Sequence, residues 1–176
     1  MSKAKVATVW LDGCSGCHMS LLDIDEAILA LAKKADLVYG PLVDAQEFPE
    51  EVDITLVEGA VSSQDDLKLV QKIRQRTRLL VALGDCAVTA NVPAMRNSLR
   101  PHDLLQTVYV HRVDADPSLP GAGVPALLRR AVPVHEVVPV DLHLPGCPPK
   151  PDAILFVLGE ALEGRRPDLA GKVVFG

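Results

Sequence analysis

Aromatic side chains are scarce in this chain: three Phe, two Tyr and one Trp among 176 residues. That scarcity argues against the stacking platforms on which single-stranded nucleic acids lie. Basic residues are not in excess either. Eighteen Lys and Arg against 23 Asp and Glu leave a net charge of −5, so the basic stripe that a nucleic acid requires is missing. No apolar run approaches the roughly 20 residues that cross a bilayer, so no direct membrane span is expected. Neither an apolar signal core nor a twin-Arg leader precedes the first strand-like run, and the expected location is the cytoplasm. No Gly-x-Gly-x-x-Gly follows a strand-like segment, which leaves a Rossmann-type nicotinamide site unsupported. Cysteine is limited to four residues. In a reducing compartment they are ligands or catalytic thiols rather than disulfides.

What the chain does have is aliphatic bulk. Hydrophobic residues make up 48% of it, and 176 residues suit one domain, 1–176. A domain of that size buries roughly two-thirds of its unfolded surface. Strand-like and helix-like runs alternate along the first two-thirds. Val6–Leu11, Asp36–Tyr39, Asp53–Val57 and Leu79–Leu83 read as strands. Ser20 is positioned to cap a helix over 21–34, with Leu21, Ile24, Ile28 and Leu31 on one face. Ser63 is positioned to cap a helix over 64–77, with Asp65 and Asp66 in its first turn and Lys72, Arg74 and Arg76 near its end. This order predicts an α/β fold with a doubly wound parallel sheet and helices on both faces. Residues 91–149 are rich in proline and predict a long irregular segment, a natural partner-contact surface. Within it, Val124–Ala131 suggests a short helix and Val137–Leu142 the last strand; Pro151–Glu163 reads as the last helix.

Cys14, Cys17, Cys86 and Cys147 each follow a strand-like run. The carboxyl ends of parallel strands share one edge, so three distant segments can bring four thiols to one place. Several chemistries compete for such a set. Cys14-Ser15-Gly16-Cys17-His18 matches c-type haem attachment, a reaction of exported proteins. It also resembles a thioredoxin-type dithiol, which leaves Cys86 and Cys147 without a role. A structural zinc in an assembly module usually takes two paired knuckles rather than one pair and two singles. An iron–sulfur cluster accepts scattered cysteines, and a helix start beside it would aim N–H groups at the anionic group. Four unrelated core cysteines are the bland alternative.

Three motifs carry a resemblance to a known family. They are Cys14-Ser15-Gly16-Cys17-His18-Met19-Ser20-Leu21-Leu22-Asp23; Gly84-Asp85-Cys86 with Asn91-Val92-Pro93-Ala94-Met95-Arg96-Asn97; and Leu144-Pro145-Gly146-Cys147-Pro148-Pro149-Lys150-Pro151-Asp152-Ala153. Together they resemble the small subunits of cytoplasmic nickel–iron hydrogenases, above all those of the soluble NAD(P)-linked bidirectional type. The resemblance implies a flavodoxin-like domain with no need of flavin. It implies one [4Fe-4S] cluster, the one nearest the nickel–iron site, with Cys14, Cys17, Cys86 and Cys147 as its ligands. It implies a nickel–iron large subunit and iron–sulfur/flavin diaphorase subunits as partners, with the nickel–iron site, flavin and NAD(P) in those chains. No cysteine follows Cys147, which favours the short soluble type over relatives with further clusters. The Cys-x-x-Cys spacing separates the chain from the complex I subunit that resembles this family, where the first cysteines are adjacent. One local departure is Ala90, where many relatives have Gly before the Asn.

The same resemblance singles out Glu58, in Val57-Glu58-Gly59-Ala60, at a strand end on the cysteine edge. A desolvated carboxyl there could relay protons, or it could accept loop N–H groups. His18 either tunes a cluster through a hydrogen bond to sulfur or faces a partner. Trp10 and Met19 read as packing or interface residues. Arg96, Arg129, Arg130 and Lys150 are candidates to meet acids on a partner, although exposed charges are usually only solvated.

Overall fold

A computed structural model describes residues 3–173 and 175. Met1, Ser2, Val174 and Gly176 lie outside them, including both ends of the expected 1–176 domain. Five parallel strands form the main sheet: β1 (Ala4–Trp10), β2 (Ala35–Tyr39), β3 (Val52–Glu58), β5 (Thr77–Leu83) and β7 (Leu142–Leu144). They lie in the order β2-β1-β3-β5-β7. Counted within this sheet alone, that is the flavodoxin-like order 2-1-3-4-5. A short antiparallel pair, β4 (Val61–Ser63) with β6 (Leu127–Val132), stands apart.

Side chains alternate across the main sheet because successive strand residues point to opposite faces. Ala7, Val9, Leu80 and Ala82 pack on one face with Val70 and Ile73 of α3 (Gln64–Arg76). Val6, Ile54, Leu56, Val81 and Leu83 pack on the other with Ile154, Val157 and Leu158 of α6 (Pro151–Leu162). Helices therefore cover both faces, as a sheet of buried parallel strands requires. Ser63 caps α3 with a full capping box: its hydroxyl accepts from Asp66 N–H, and the Asp66 carboxyl accepts from Ser63 N–H.

Four sequence expectations need correction. The helix over 21–34 is two helices, α1 (Gly16–Leu22) and α2 (Ala27–Lys34), separated by a turn in which Asp25 takes φ +58°. Leu21, Ile24, Ile28 and Leu31 still share one apolar cluster, so the face is real although the helix is broken. Ser20 is no cap; it lies inside α1, and its buried hydroxyl donates to Pro149 O at 2.5 Å. The helix expected at 124–131 is strand β6, because Leu127–Val132 finds a partner in β4. The strand expected over 137–142 starts only at its end. Val137 and Val138 turn back to donate to Val134 O, Pro139 has no N–H to give, and main-chain bonding to β5 begins with Asp141 N–H to Leu80 O.

The 91–149 segment is accordingly less irregular than its prolines suggest. It holds 3₁₀ turns at Pro93–Ser98 and Val134–Glu136, helix α5 (Pro101–Gln106), a π-helical turn at Thr107–His111, β6 and β7. Asn97 fastens the first turn to β6: its side chain donates to Ala131 O at 2.8 Å and accepts from Ala131 N–H at 2.7 Å.

Candidate metal centre

The five parallel strands all end on one edge, and the cysteine segments follow β1, β5 and β7 there. Cys14 lies in the loop after β1 and Cys17 in the first turn of α1. Cys86 lies in the short helix α4 (Gly84–Thr89) that follows β5, and Cys147 in the loop between β7 and α6. Strand order reverses between β1 and β3, and that switch point is where open α/β sheets place their ligands. A cleft of about 630 Å³, lined by Asp53, Arg78, Asp141 and Arg166 among others, lies at the opposite, amino edge of the strands. It has no part in the cysteine chemistry.

Electrostatics shows that the four thiols share one neighbourhood. Burial pushes the Cys17 thiol far up from its usual range; Glu58, Cys86, Cys14 and Cys147 all push it further. Burial likewise raises Cys86, with Cys147, Cys14 and Glu58 adding to it against a backbone hydrogen bond from Val92. Cys17 and Cys86, whose ionisation burial and their neighbours disfavour, need a cationic group beside them before they can serve as thiolates. Cys17 is buried, Cys86 half-buried, and Cys14 and Cys147 exposed.

Glycines let the cysteine segments pack this closely. A Cβ on Gly84, whose φ is +81°, would stand 2.2 Å from Cys17 Sγ. On Gly16 it would stand 3.3 Å from Cys14 Sγ. Gly146, at φ +135°, could carry no Cβ without meeting Pro149 Cα at 2.6 Å. Main-chain and side-chain N–H groups also turn towards sulfur: Gly16 N–H to Cys14 at 3.4 Å, and Asn91 Nδ2 to Cys147 at 3.8 Å. Ala90, just before Asn91, adopts φ +62°. Glycine enters that left-handed conformation at no steric cost, so the alanine carries a strain there that a glycine would not.

Glu58 is the last residue of β3 and almost wholly buried, at 1% exposure. Its carboxyl group accepts from His18 N–H at 2.9 Å and Cys17 N–H at 3.4 Å, and contacts His18 Nδ1. The Cys14–Cys17 loop is thus anchored to the sheet. His18 Nε2 is buried without a hydrogen-bond partner among the described residues, leaving a polar atom for a group that the chain itself does not supply. Trp10, half exposed, pins the same loop by donating from Nε1 to Gly13 O at 3.0 Å.

Sequence reading missed Asp85. It is buried beside Cys86, and its side chain accepts from Gly146 N–H. Its place between Gly84 and Cys86 was the only signal. Arg96 and Arg129 also donate within the chain: Arg96 reaches Leu128 O and Ser62 O, and exposed Arg129 reaches Leu99 O. Among the described residues no three His, Cys, Asp or Glu side chains are spaced to hold a single metal ion.

A family model described as NADH ubiquinone oxidoreductase, 20 Kd subunit, matches residues 14–161. The chain is 39% identical to the NAD-reducing hydrogenase HoxS subunit delta of Cupriavidus necator, over 97% of this chain and 84% of that one. It is 34% identical to a subunit of the vhu F420-non-reducing hydrogenase of Methanocaldococcus jannaschii, covering 97% of this chain but 60% of the archaeal one. A crystal structure of NAD+-reducing [NiFe]-hydrogenase in the H2-reduced state contains a chain with TM-score 0.93 and 38% identity, each covering 98% of the other. A [NiFeSe]-hydrogenase from Dm. baculatum shares the fold, with TM-score 0.62 at 20% identity over 98% of this chain and 69% of that one.

Proposed function

The chain belongs to the NADH ubiquinone oxidoreductase 20 Kd subunit family, among its nickel–iron hydrogenase small subunits, and from that premise we propose that it is the electron-transfer small subunit of an NAD-reducing hydrogenase. The observation that carries the reading is the set of four cysteines from three distant segments, three of which each act on the fourth, Cys17. Cys14, Cys17, Cys86 and Cys147 would hold one [4Fe-4S] cluster. When bound, such a cluster supplies one-electron transfer.

The chain's own residues do the rest. Glu58 fixes the Cys14–Cys17 loop by accepting N–H groups of Cys17 and His18, and Gly84, with no side chain, lets the Cys17 sulfur lie against its backbone. Trp10, Met19, Val92 and Met95 flank the cysteine segments and expose apolar surface, suited to a large subunit that carries the nickel–iron site. Segment 91–149 is the proposed wider contact with that partner. H2 would be split in the large subunit, and its electrons would leave through iron–sulfur/flavin diaphorase subunits that reduce NAD(P)+. No described helix is long and apolar enough to cross a membrane, and the cytoplasm is the proposed location.

The test is anaerobic purification with whatever chains accompany this one, followed by metal, sulfide and absorption assays. About four iron and four sulfide per chain, bleached by dithionite, together with nickel in a larger partner, are expected. One zinc and no iron would overturn the reading. The proton relay expected of Glu58 belongs to the same proposal. Glu58→Gln keeps an acceptor oxygen and removes the ionisable group, so unchanged H2-dependent NAD(P)+ reduction would take Glu58 out of the proton path.

A further inference from the structure

We propose that Asp85 is a positioning residue that locks the Cys86 turn to the Cys147 loop through Gly146, so that these two ligands are held in register as one unit. The inference rests on the cluster reading above and assigns a role to the one polar residue of the Gly84-Asp85-Cys86 motif that reading leaves unused.

Two hydrogen bonds run in opposite directions between the same two residues. Asp85 N–H donates to Gly146 O at 2.9 Å, and Gly146 N–H donates to Asp85 Oδ1 at 2.7 Å. They join positions 61 apart in sequence. Asp85 immediately precedes Cys86, and Gly146 immediately precedes Cys147, so the clamp acts one residue from each thiol. Both bonds are removed from water: Asp85 is 5% exposed. Losing one partner of a buried hydrogen bond is costly, because it strands a buried donor.

The backbone on each side is already committed. Gly84 holds φ +81°, and a Cβ there would meet Cys17 Sγ, Gly146 O at 3.4 Å and Pro149 Cδ at 3.6 Å, so all three cysteine segments meet at this point. Gly146 holds φ +135° against Pro149. Pro145, Pro148 and Pro149 have no N–H, so Gly146 is one of only two residues in 145–149 whose amide can tie the loop down. Asp85 takes that amide. Thr89 Oγ1 donates to Asp85 O at 2.9 Å and steadies the residue from within α4.

The test compares Asp85→Ala, Asp85→Ser and Asp85→Asn in the full chain, purified anaerobically with its partners. Asparagine keeps an acceptor oxygen at the same reach, whereas serine keeps a polar group one bond too short and replaces alanine if that variant fails to fold. Iron release to excess ferrozine is expected to be about 10- to 100-fold faster in the Ala and Ser variants, the usual cost of losing a residue that orients a ligand. Asp85→Asn should stay with the parent. Amide exchange in the peptide spanning 144–150 gives a metal-independent reading, faster for Ala and Ser and unchanged for Asn. Parent-like release and exchange in Ala and Ser would overturn the clamp, as would an Asn variant as leaky as Ala. If the parent releases zinc and no iron, the cluster reading fails; the clamp is then judged by zinc release and by the same exchange experiment.

Discussion

Gly84 and Cys17 approach so closely that a single Cβ at residue 84 would stand 2.2 Å from the Cys17 sulfur. The two residues come from different motifs, and their contact is where β1 and β5 hand their following segments to a common site. Gly84 meets both demands placed on it: no side chain, and φ +81°.

Gly84→Ala is therefore expected to lower stability by about 1–3 kcal/mol through overpacking and left-handed strain, and to lower the metal content as purified. Gly159→Ala is the matched control. Gly159 lies inside α6 with nothing within 4 Å of a new Cβ. That substitution should raise stability by about 0.5–1 kcal/mol. Denaturant midpoints for both variants, with iron per chain, check the pair.

Thiol reactivity in the metal-free chain should follow exposure. Cys14 and Cys147 are exposed and are expected to alkylate first, then half-buried Cys86. Cys17 should be slowest, because burial foremost, and then Glu58 and the other three cysteines, keep it protonated. Peptide mapping after timed iodoacetamide exposure measures the order. Cys17 labelling ahead of Cys14 would contradict the arrangement.

Asp141 makes a pH-dependent contribution far from the cysteines. Burial alone would raise its carboxyl; Leu80 N–H at 2.7 Å and Arg74 at 2.6 Å outweigh burial and hold it below the usual range. A carboxyl with a depressed folded-state pKa contributes fully above its unfolded value, near 3.9, and loses that contribution as pH falls through the folded value. Asp141→Asn should thus be less stable at pH 7 and show a flatter decline in acid. Unfolding midpoints in urea from pH 7 down to about 3 check it; a decline as steep as the parent's would remove Asp141 from the acid response.

Much of the architecture was legible because its cause is local. Ser63 and Asp66 carry their capping box within four residues, and α3 begins where they place it. Buried aliphatic runs separated by helix-length segments already imply a parallel sheet, and parallel strands have one carboxyl edge to share. The four cysteines could be singled out because each follows such a run. Glu58 could be located at the same edge, although not what its carboxyl group accepts.

The rest waited on contacts between distant residues. Leu127–Val132 has apolar spacing that fits a helix as well as a strand, and only pairing with Val61–Ser63 decides for the strand. Ser20 has the chemistry of a helix cap, yet its hydroxyl serves Pro149, 129 residues away. Asp85 reads as an ordinary polar residue until Gly146 arrives beside it. By itself the sequence determined the α/β alternation, the cap of α3 and the identity of the thiols, all set by side-chain type and short-range spacing. The tertiary structure alone decided which loops lock together, because a hydrogen bond or a shared void depends on where two separate backbones meet and not on either segment alone.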